Sequence, residues 1–130
     1  MQRTLDQKLR ALASLPLGDG PSHDELLTLG RLCDVVRVEE GAVLQREGST
    51  ARFCWSVLQG AAALSRQDQP VAVASSGAWL LDGLATGGRD GAATTIVAMT
   101  DLDLLVFGRR EMWGAVESIP TLRRALLRGA

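Results

Sequence analysis

The 130-residue sequence has the length of one domain, and its hydrophobic content of 46% is enough for a real core. The formal net charge is −1, with both signs interspersed, which excludes the electrostatic footprint of a nucleic-acid-binding protein. No uncharged stretch reaches membrane-spanning length and the N-terminus lacks the apolar core of a signal peptide, so we expect a cytoplasmic protein.

The first 33 residues have helical patterning. Thr4 with Gln7 has capping-box spacing before an apolar stripe, and a turn-rich linker follows at 15–21. Ser22 with Glu25 repeats the capping-box signal before a second stripe. The stripe residues of these two predicted amphipathic helices are Leu5, Leu9 and Leu12, then Leu26, Leu29 and Leu32.

From Val35 the apolar pattern alternates instead. Short β-type runs follow one another, punctuated by Gly41, Gly48 and Gly60, with a turn predicted over 67–70. Seven or eight short strands separated by turns predict an α+β, mainly β, fold built on an antiparallel β-roll or jelly roll. The runs are Val36–Val38, Val43–Leu44, Phe53–Val57, Ala62–Leu64, Val71–Ala74, Thr94–Met99 and Leu102–Val106.

Helical spacing returns at Arg109 and places Met112, Trp113 and Val116 on one predicted face. A break at 118–120 precedes a last short helix, whose positive residues near its C-terminus suit the helix dipole. We therefore expect one domain, 1–130, divided into a helical entry (1–33), a β-roll (34–108) and C-terminal helices (109–130).

The glycine-rich stretch from Gly77 to Ala98 admits two interpretations. It could be a phosphate cradle, because glycine lets backbone N–H groups approach an anion closely. The other interpretation is a flexible connector between two strands, which glycine content alone favours.

Several segments, taken in order, resemble the cyclic-nucleotide-binding domain family, the β-roll of catabolite-activator-type regulators and of protein kinase A regulatory subunits. The resemblance spans nearly the whole chain and implies that family's fold. The segments that carry it are Leu15-Pro16-Leu17 with Ser22–Leu26, Val43-Leu44-Gln45-Arg46-Glu47-Gly48, Phe53–Gly60, Ala98–Asp101 with Leu104–Phe107, and Ile119-Pro120-Thr121-Leu122.

The resemblance also implies a phosphate-binding cassette in the glycine-rich stretch, with a Gly-Glu pair for the ribose and an arginine for the cyclic phosphate. Here Leu81 and Asp82 stand at the Gly-Glu positions and Ala92 stands at the arginine position. Loss of that arginine removes a charge-assisted bond of about 1.5–3 kcal/mol. The candidate, degenerate pocket comprises Leu81, Asp82, Gly83, Arg89, Ala92 and Ala93, in which Arg89 is a possible substitute for the missing cation.

Other candidate groups favour structural roles. His23 has no second ligand at metal spacing, and Cys33 and Cys54 fit buried thiols better than a disulfide or a nucleophile. Asp101 and Asp103 are interpreted as solvated turn residues. Trp79 is a candidate plug for the altered pocket.

These observations predict a non-enzyme: a regulatory or protein-interaction module that does not bind cAMP or cGMP in the family manner, without cofactor or metal. The alternative is a cyclic-nucleotide or other small-ligand sensor that uses Asp82 and Arg89; a small enzyme is the third hypothesis. A protein partner or self-association through Leu122, Leu126 or Trp113 is expected, with no membrane contact. A DNA-reading element is not expected in this chain.

Overall fold

Eight strands and three longer helices make up the described part of the chain. The computed structural model describes residues 8–12, 22–82 and 91–129, and residues 8–12 are also helical. The helices are α1 (His23–Leu32), α2 (Arg109–Ser118) and α3 (Pro120–Gly129). The strands are β1 (Cys33–Val38), β2 (Val43–Gln45), β3 (Phe53–Gln59), β4 (Ala62–Arg66), β5 (Gln69–Ala74), β6 (Trp79–Leu80), β7 (Thr95–Ala98) and β8 (Leu102–Gly108).

The strands form two four-stranded sheets with the orders β1-β8-β3-β6 and β2-β7-β4-β5. All paired strands are antiparallel. The predicted α+β, mainly β roll is therefore confirmed, as two facing sheets and not as a closed barrel.

One core lies between the two sheets. Branched and small apolar side chains meet there because the strands alternate inward and outward positions. The β1-β8-β3-β6 sheet contributes Trp55, Val57, Leu80, Leu102 and Leu104, and the other sheet contributes Ala62, Ala74, Ile96 and Ala98.

A second core lies between the β1-β8-β3-β6 sheet and the helices. Phe107 is fully buried in it, and its backbone pairs with Cys33 on one side and Cys54 on the other. Both cysteines are free thiols buried in this core, as the sequence predicted. The helices contribute Leu12, Leu29, Met112, Ala115, Ile119 and Leu122.

The predicted start of α1 is confirmed. Ser22 Oγ accepts from Glu25 N at 3.2 Å, and Glu25 Oε1 accepts from Ser22 N at 2.8 Å, which completes a capping box. Leu29 is fully buried, and Leu26 and Leu32 pack against the same core, so the predicted stripe faces inward.

Two details of the strands differ from the sequence-based predictions. Gln69 and Pro70 belong to β5, because the turn is the tighter pair Gln67 and Asp68, both with positive φ. Trp79 starts β6 and its ring lies 6.0 Å from that of Phe107, so it belongs to the helix-side core and does not plug the pocket.

The structure divides the predicted face of α2, because Trp113 is exposed, as the predicted self-association seam requires, whereas the other residues of that face are buried or partly buried. Met112 and Ala115 are buried there and Val116 is partly buried, whereas Trp113 is 52% exposed. A helix repeat of 3.6 residues cannot bury two adjacent positions equally, and Met112 takes the inward one. The predicted seam residue Leu122 is wrong, because it is fully buried within the protein's own core.

Several predictions fall outside the described residues. They are the Thr4–Gln7 capping box, the linker at 15–21, and the candidate pocket residues Gly83 and Arg89.

Candidate functional site

The candidate site lies where the loop between β2 and β3 meets the segment that leads into β7. Gly48 N donates to Ala92 O at 2.9 Å, and Ala92 N donates to Ser49 O at 2.6 Å. Gly91 has φ +77°, and a Cβ added there would lie 2.6 Å from Gly48 O. Only glycine allows the two segments to approach this closely, so Gly91 fixes one wall of the site.

Asp82 is the polar centre of the site. Its Oδ2 accepts from Gln45 Nε2 at 2.7 Å, from Thr94 Oγ1 at 3.0 Å and from Thr94 N at 3.2 Å. Gln45 Nε2 also donates to Thr94 O at 3.1 Å. We call Gln45, Asp82 and Thr94 the polar triad. Its hydrogen bonds connect β2 to two positions of the glycine-rich stretch, Asp82 and Thr94.

Gln45 is an unusual residue for its place. It is 8% exposed in a strand that faces the apolar core between the sheets. Its Nε2 contacts two acceptors, Asp82 Oδ2 and Thr94 O, which fixes the orientation of the amide. Among the described residues, no donor reaches its buried Oε1. A buried acceptor without a partner costs roughly 1–3 kcal/mol.

The other predicted pocket residues separate in space. Ala92 is 4% exposed, and its methyl group brings no charge to the position where the resemblance implies an arginine. Leu81 packs against the helix-side core. Ala93 is partly exposed, and its carbonyl accepts from Arg66 Nε at 3.2 Å. The structure therefore brings Asp82 together with Gln45 and Thr94, and directs Leu81 elsewhere.

Sequence reasoning missed Gln45, Thr94 and Arg66 as parts of this site. Gln45 belongs to one of the segments that carry the resemblance, and its only local signal is a polar residue at an inward position of a strand. The contacts of Thr94 with Gln45 depend on the pairing of β2 with β7, and the contact of Arg66 depends on the pairing of β4 with β7; local pattern specifies neither.

The acids at the opposite turn are paired, not simply solvated. Arg37 lies 3.2 Å from an Asp103 oxygen and 3.6 Å from an Asp101 oxygen. Asp101 Oδ1 also accepts from Glu40 N at 2.9 Å. These contacts hold the end of β1 to the β7–β8 turn and form a structural network at the surface.

The described segments contain no cluster of three or more His, Cys, Asp or Glu side chains that could hold a metal ion. They also contain no helix with the length and apolar character needed to cross a membrane.

No model of a protein family matches the sequence, and neither does any curated protein. Solved structures do match the fold. The regulatory subunit of a cAMP-independent protein kinase A from Trypanosoma brucei is similar with a TM-score of 0.83 and 18% identity, over 98% of this chain and 46% of that one.

Two further structures have the same fold. The regulatory domain of Toxoplasma gondii PKA, solved with cAMP, gives a TM-score of 0.79 and 16% identity over 90% of this chain and 47% of that one. The sensor domain of the transcriptional regulator DNR from Pseudomonas aeruginosa gives a TM-score of 0.76 and 21% identity, over 92% of this chain and 88% of that one.

This chain therefore has the fold of cyclic-nucleotide-binding regulatory and sensor domains, as its sequence motifs predicted. It spans less than half the length of the two kinase regulatory chains. Identities this low establish a shared fold, and function must be argued from the site itself.

Proposed function

We propose that this chain is a non-catalytic regulatory or protein-interaction module that does not hold cAMP or cGMP in the manner implied by the resemblance. One observation carries the proposal: the position expected to hold the phosphate-binding arginine is Ala92, which is buried and hydrogen-bonded through both backbone groups to the loop between β2 and β3. Without a cation there, the cyclic phosphate loses a charge-assisted bond, about ten- to a hundredfold in affinity.

The contacts of Asp82 support the same proposal. Its Oδ2 already accepts three hydrogen bonds from Gln45 and Thr94, so a ribose hydroxyl would have to compete with donors that belong to the protein. A shared fold is compatible with this, since the trypanosome neighbour is described as cAMP-independent.

Isothermal titration calorimetry with cAMP and cGMP tests this proposal. We expect no heat of binding at micromolar nucleotide, and no rise in melting temperature, because a ligand that binds only the native state must stabilise it. Binding of either nucleotide at micromolar affinity or tighter would overturn the proposal.

The alternative function is a small-ligand sensor that uses Asp82 and Arg89. It is supported by the presence of an acid at the ribose position, although Arg89 lies outside the described residues. If calorimetry does detect a nucleotide, Arg89→Ala must weaken its binding substantially. An unchanged affinity in that variant would exclude Arg89 as the substitute cation.

A protein partner, or a second copy of this chain, is part of the proposal. Trp113 supports it, because an indole that is 52% exposed on α2 is an amphipathic anchor of the kind enriched at interfaces. We propose the cytoplasm as its compartment, which the two free buried cysteines favour.

A further inference from the structure

We propose that a second copy of this chain docks on the exposed face of α2, so that two α2 helices pack antiparallel about a two-fold axis. This inference rests on the proposed function, because it specifies the partner of the interaction module. Four residues carry it, and we call them the α2 stripe: Arg110, Trp113, Gly114 and Glu117.

The α2 stripe follows the outward side of the helix. Its positions have the spacing i, i+3, i+4 and i+7, which places them on one face over two turns. All four residues are exposed, whereas Met112 and Ala115 are buried in the helix-side core. The stripe is therefore accessible to a partner without any rearrangement of the fold.

The first argument is the glycine of the stripe. Glycine is the least favourable residue inside a helix after proline. Gly114 does not have a positive φ, and a Cβ added to it would meet no atom within 4 Å. Neither backbone conformation nor packing against the described residues accounts for glycine at this position. The missing side chain leaves a shallow hole in the helix surface next to the exposed indole of Trp113, and a partner's side chain can fill it.

The second argument is the symmetry of the stripe. The midpoint between Trp113 and Gly114 is equally far from Arg110 and from Glu117, about 5 Å along the helix axis in each direction. A two-fold axis through that midpoint places Arg110 beside Glu117 of the partner subunit and Trp113 beside Gly114 of the partner subunit. The same contacts then repeat in the other direction. One symmetry operation thus gives each charge an opposite charge and each indole a hole.

The third argument is charge, which selects both the partner and its orientation. Arg110 and Glu117 are exposed and form no ion pair with any described residue. Parallel helices would place like charges together, whereas antiparallel helices pair opposite charges and also oppose their macrodipoles. A stripe that is basic at one end and acidic at the other is complementary to itself. It therefore favours a second copy over a strongly acidic or strongly basic partner.

The size of the stripe sets the expected strength. A contact made by one face of a short helix lies at the low end of specific interface sizes. We therefore expect a weak dimer, with a Kd on the order of 10–100 μM. Sedimentation equilibrium of the full chain at low salt, from micromolar to millimolar concentration, covers this range.

Charge reversal tests the orientation. Arg110→Glu and Glu117→Arg should each weaken self-association at least about tenfold, because symmetry makes each change repulsive at two contacts. The double variant exchanges the two charges and should restore association. An equimolar mixture of the two single variants should form a heterodimer. Arg123→Glu is the matched control, since it reverses an exposed arginine of α3 outside the stripe and should leave association unaltered.

Gly114→Ala separates docking from a structural role. In dilute, monomeric protein it should raise the melting temperature by about 2–5 °C, because alanine favours the helix. It should also weaken self-association about fivefold or more, because the added methyl group fills the hole. A glycine needed only for the fold would give the opposite result, a lower melting temperature in the alanine variant.

NMR on a mixture of isotope-labelled and unlabelled protein gives a readout that needs no variant to fold. It should detect intermolecular Overhauser contacts between the indole of Trp113 and the α protons of Gly114 of the partner subunit. Three results would overturn the inference: a monomer up to millimolar concentration, intermolecular contacts that lie elsewhere, or unchanged association in both charge-reversal variants. A monomer leaves the proposed function intact, because that proposal also allows a different protein partner, whereas nucleotide binding in the calorimetry contradicts the proposed function and not the helix pair.

Discussion

Phe107 shows how much a single side chain contributes to this fold. It is fully buried at the centre of the helix-side core and contacts Trp79, and β1 and β3 pair with its backbone on either side. Phe53, by comparison, is 46% exposed at the start of β3.

Phe107→Ala should lower the free energy of unfolding by about 3–5 kcal/mol, because it removes buried apolar contacts and leaves a cavity. Phe53→Ala, the same change at an exposed position, should cost less than about 1 kcal/mol. Urea denaturation measures both values, with Phe107→Leu as the milder variant if the alanine protein does not fold. Equal losses at the two positions would contradict the assignment of the core.

Cys33 is the residue for which a pH effect is expected. Burial raises the pKa of its thiol from the ordinary 9.0 to about 11; Lys8 lowers it and Asp34 raises it by smaller amounts. Folded and unfolded chains are equally protonated at this thiol below pH 9. Above pH 9 the unfolded chain loses the proton first, so stability falls as the pH rises from 9 to 11.

The thiol's contribution to this loss should approach about 1.4 kcal/mol per pH unit between those values. This contribution is measured by urea denaturation of the unmodified protein and of Cys33→Ala at several pH values from 8 to 11. The difference between the two proteins reports the Cys33 thiol, because the other titrating groups are common to both. Parallel curves for the two proteins would show that Cys33 does not titrate as described.

At the scale of elements, the approach of the β2–β3 loop to the segment before β7 determines the geometry of the site. Gly91 makes that approach possible, since an added Cβ would meet Gly48 O at 2.6 Å. Gly41 has a similar φ of +88° but open space around it.

Gly91→Ala should therefore destabilise the protein more than Gly41→Ala. Both changes introduce the strain of a positive φ, roughly 1–2 kcal/mol, and only the first adds a backbone clash. Thermal unfolding of both variants tests this, and loss of the hydrogen-bonded amide signals of Gly48 and Ala92 should accompany Gly91→Ala. A larger loss at Gly41 would contradict the close contact.

At the scale of the whole molecule, the two helix residues Leu122 and Trp113 differ in their exposure to solvent. Leu122 is fully buried in the helix-side core, whereas Trp113 presents its indole to solvent from α2. Association and stability should therefore respond to different residues.

Trp113→Ala should change the free energy of unfolding by no more than about 0.5 kcal/mol while weakening self-association. Leu122→Ala should cost about 2–5 kcal/mol. Sedimentation equilibrium measures the first effect and urea denaturation the second. A monomer at every concentration of the unmodified protein would remove Trp113 from consideration as a self-association surface, leaving only a different partner.

The sequence by itself determined the order of helices and strands apart from β6, the cap at Ser22 and the burial of both cysteines. These features depend on local periodicity, capping chemistry and turn residues, which are read within a few positions along the chain. The fold itself was indicated by the resemblance of several ordered motifs to a known family. The sequence also showed that position 92 holds alanine and not arginine, because the identity of a residue does not depend on the fold.

Only the tertiary structure decided which residues form the site. Gln45 and Thr94 are 49 positions apart in sequence, and their bonds to Asp82 exist because β2 pairs with β7. The same holds for Trp79, whose ring was expected in the pocket and lies against Phe107. Local patterns specify which face of a strand is apolar, but the pairing of distant strands decides which side chains meet, and here that pairing left Gln45 with a buried acceptor to satisfy.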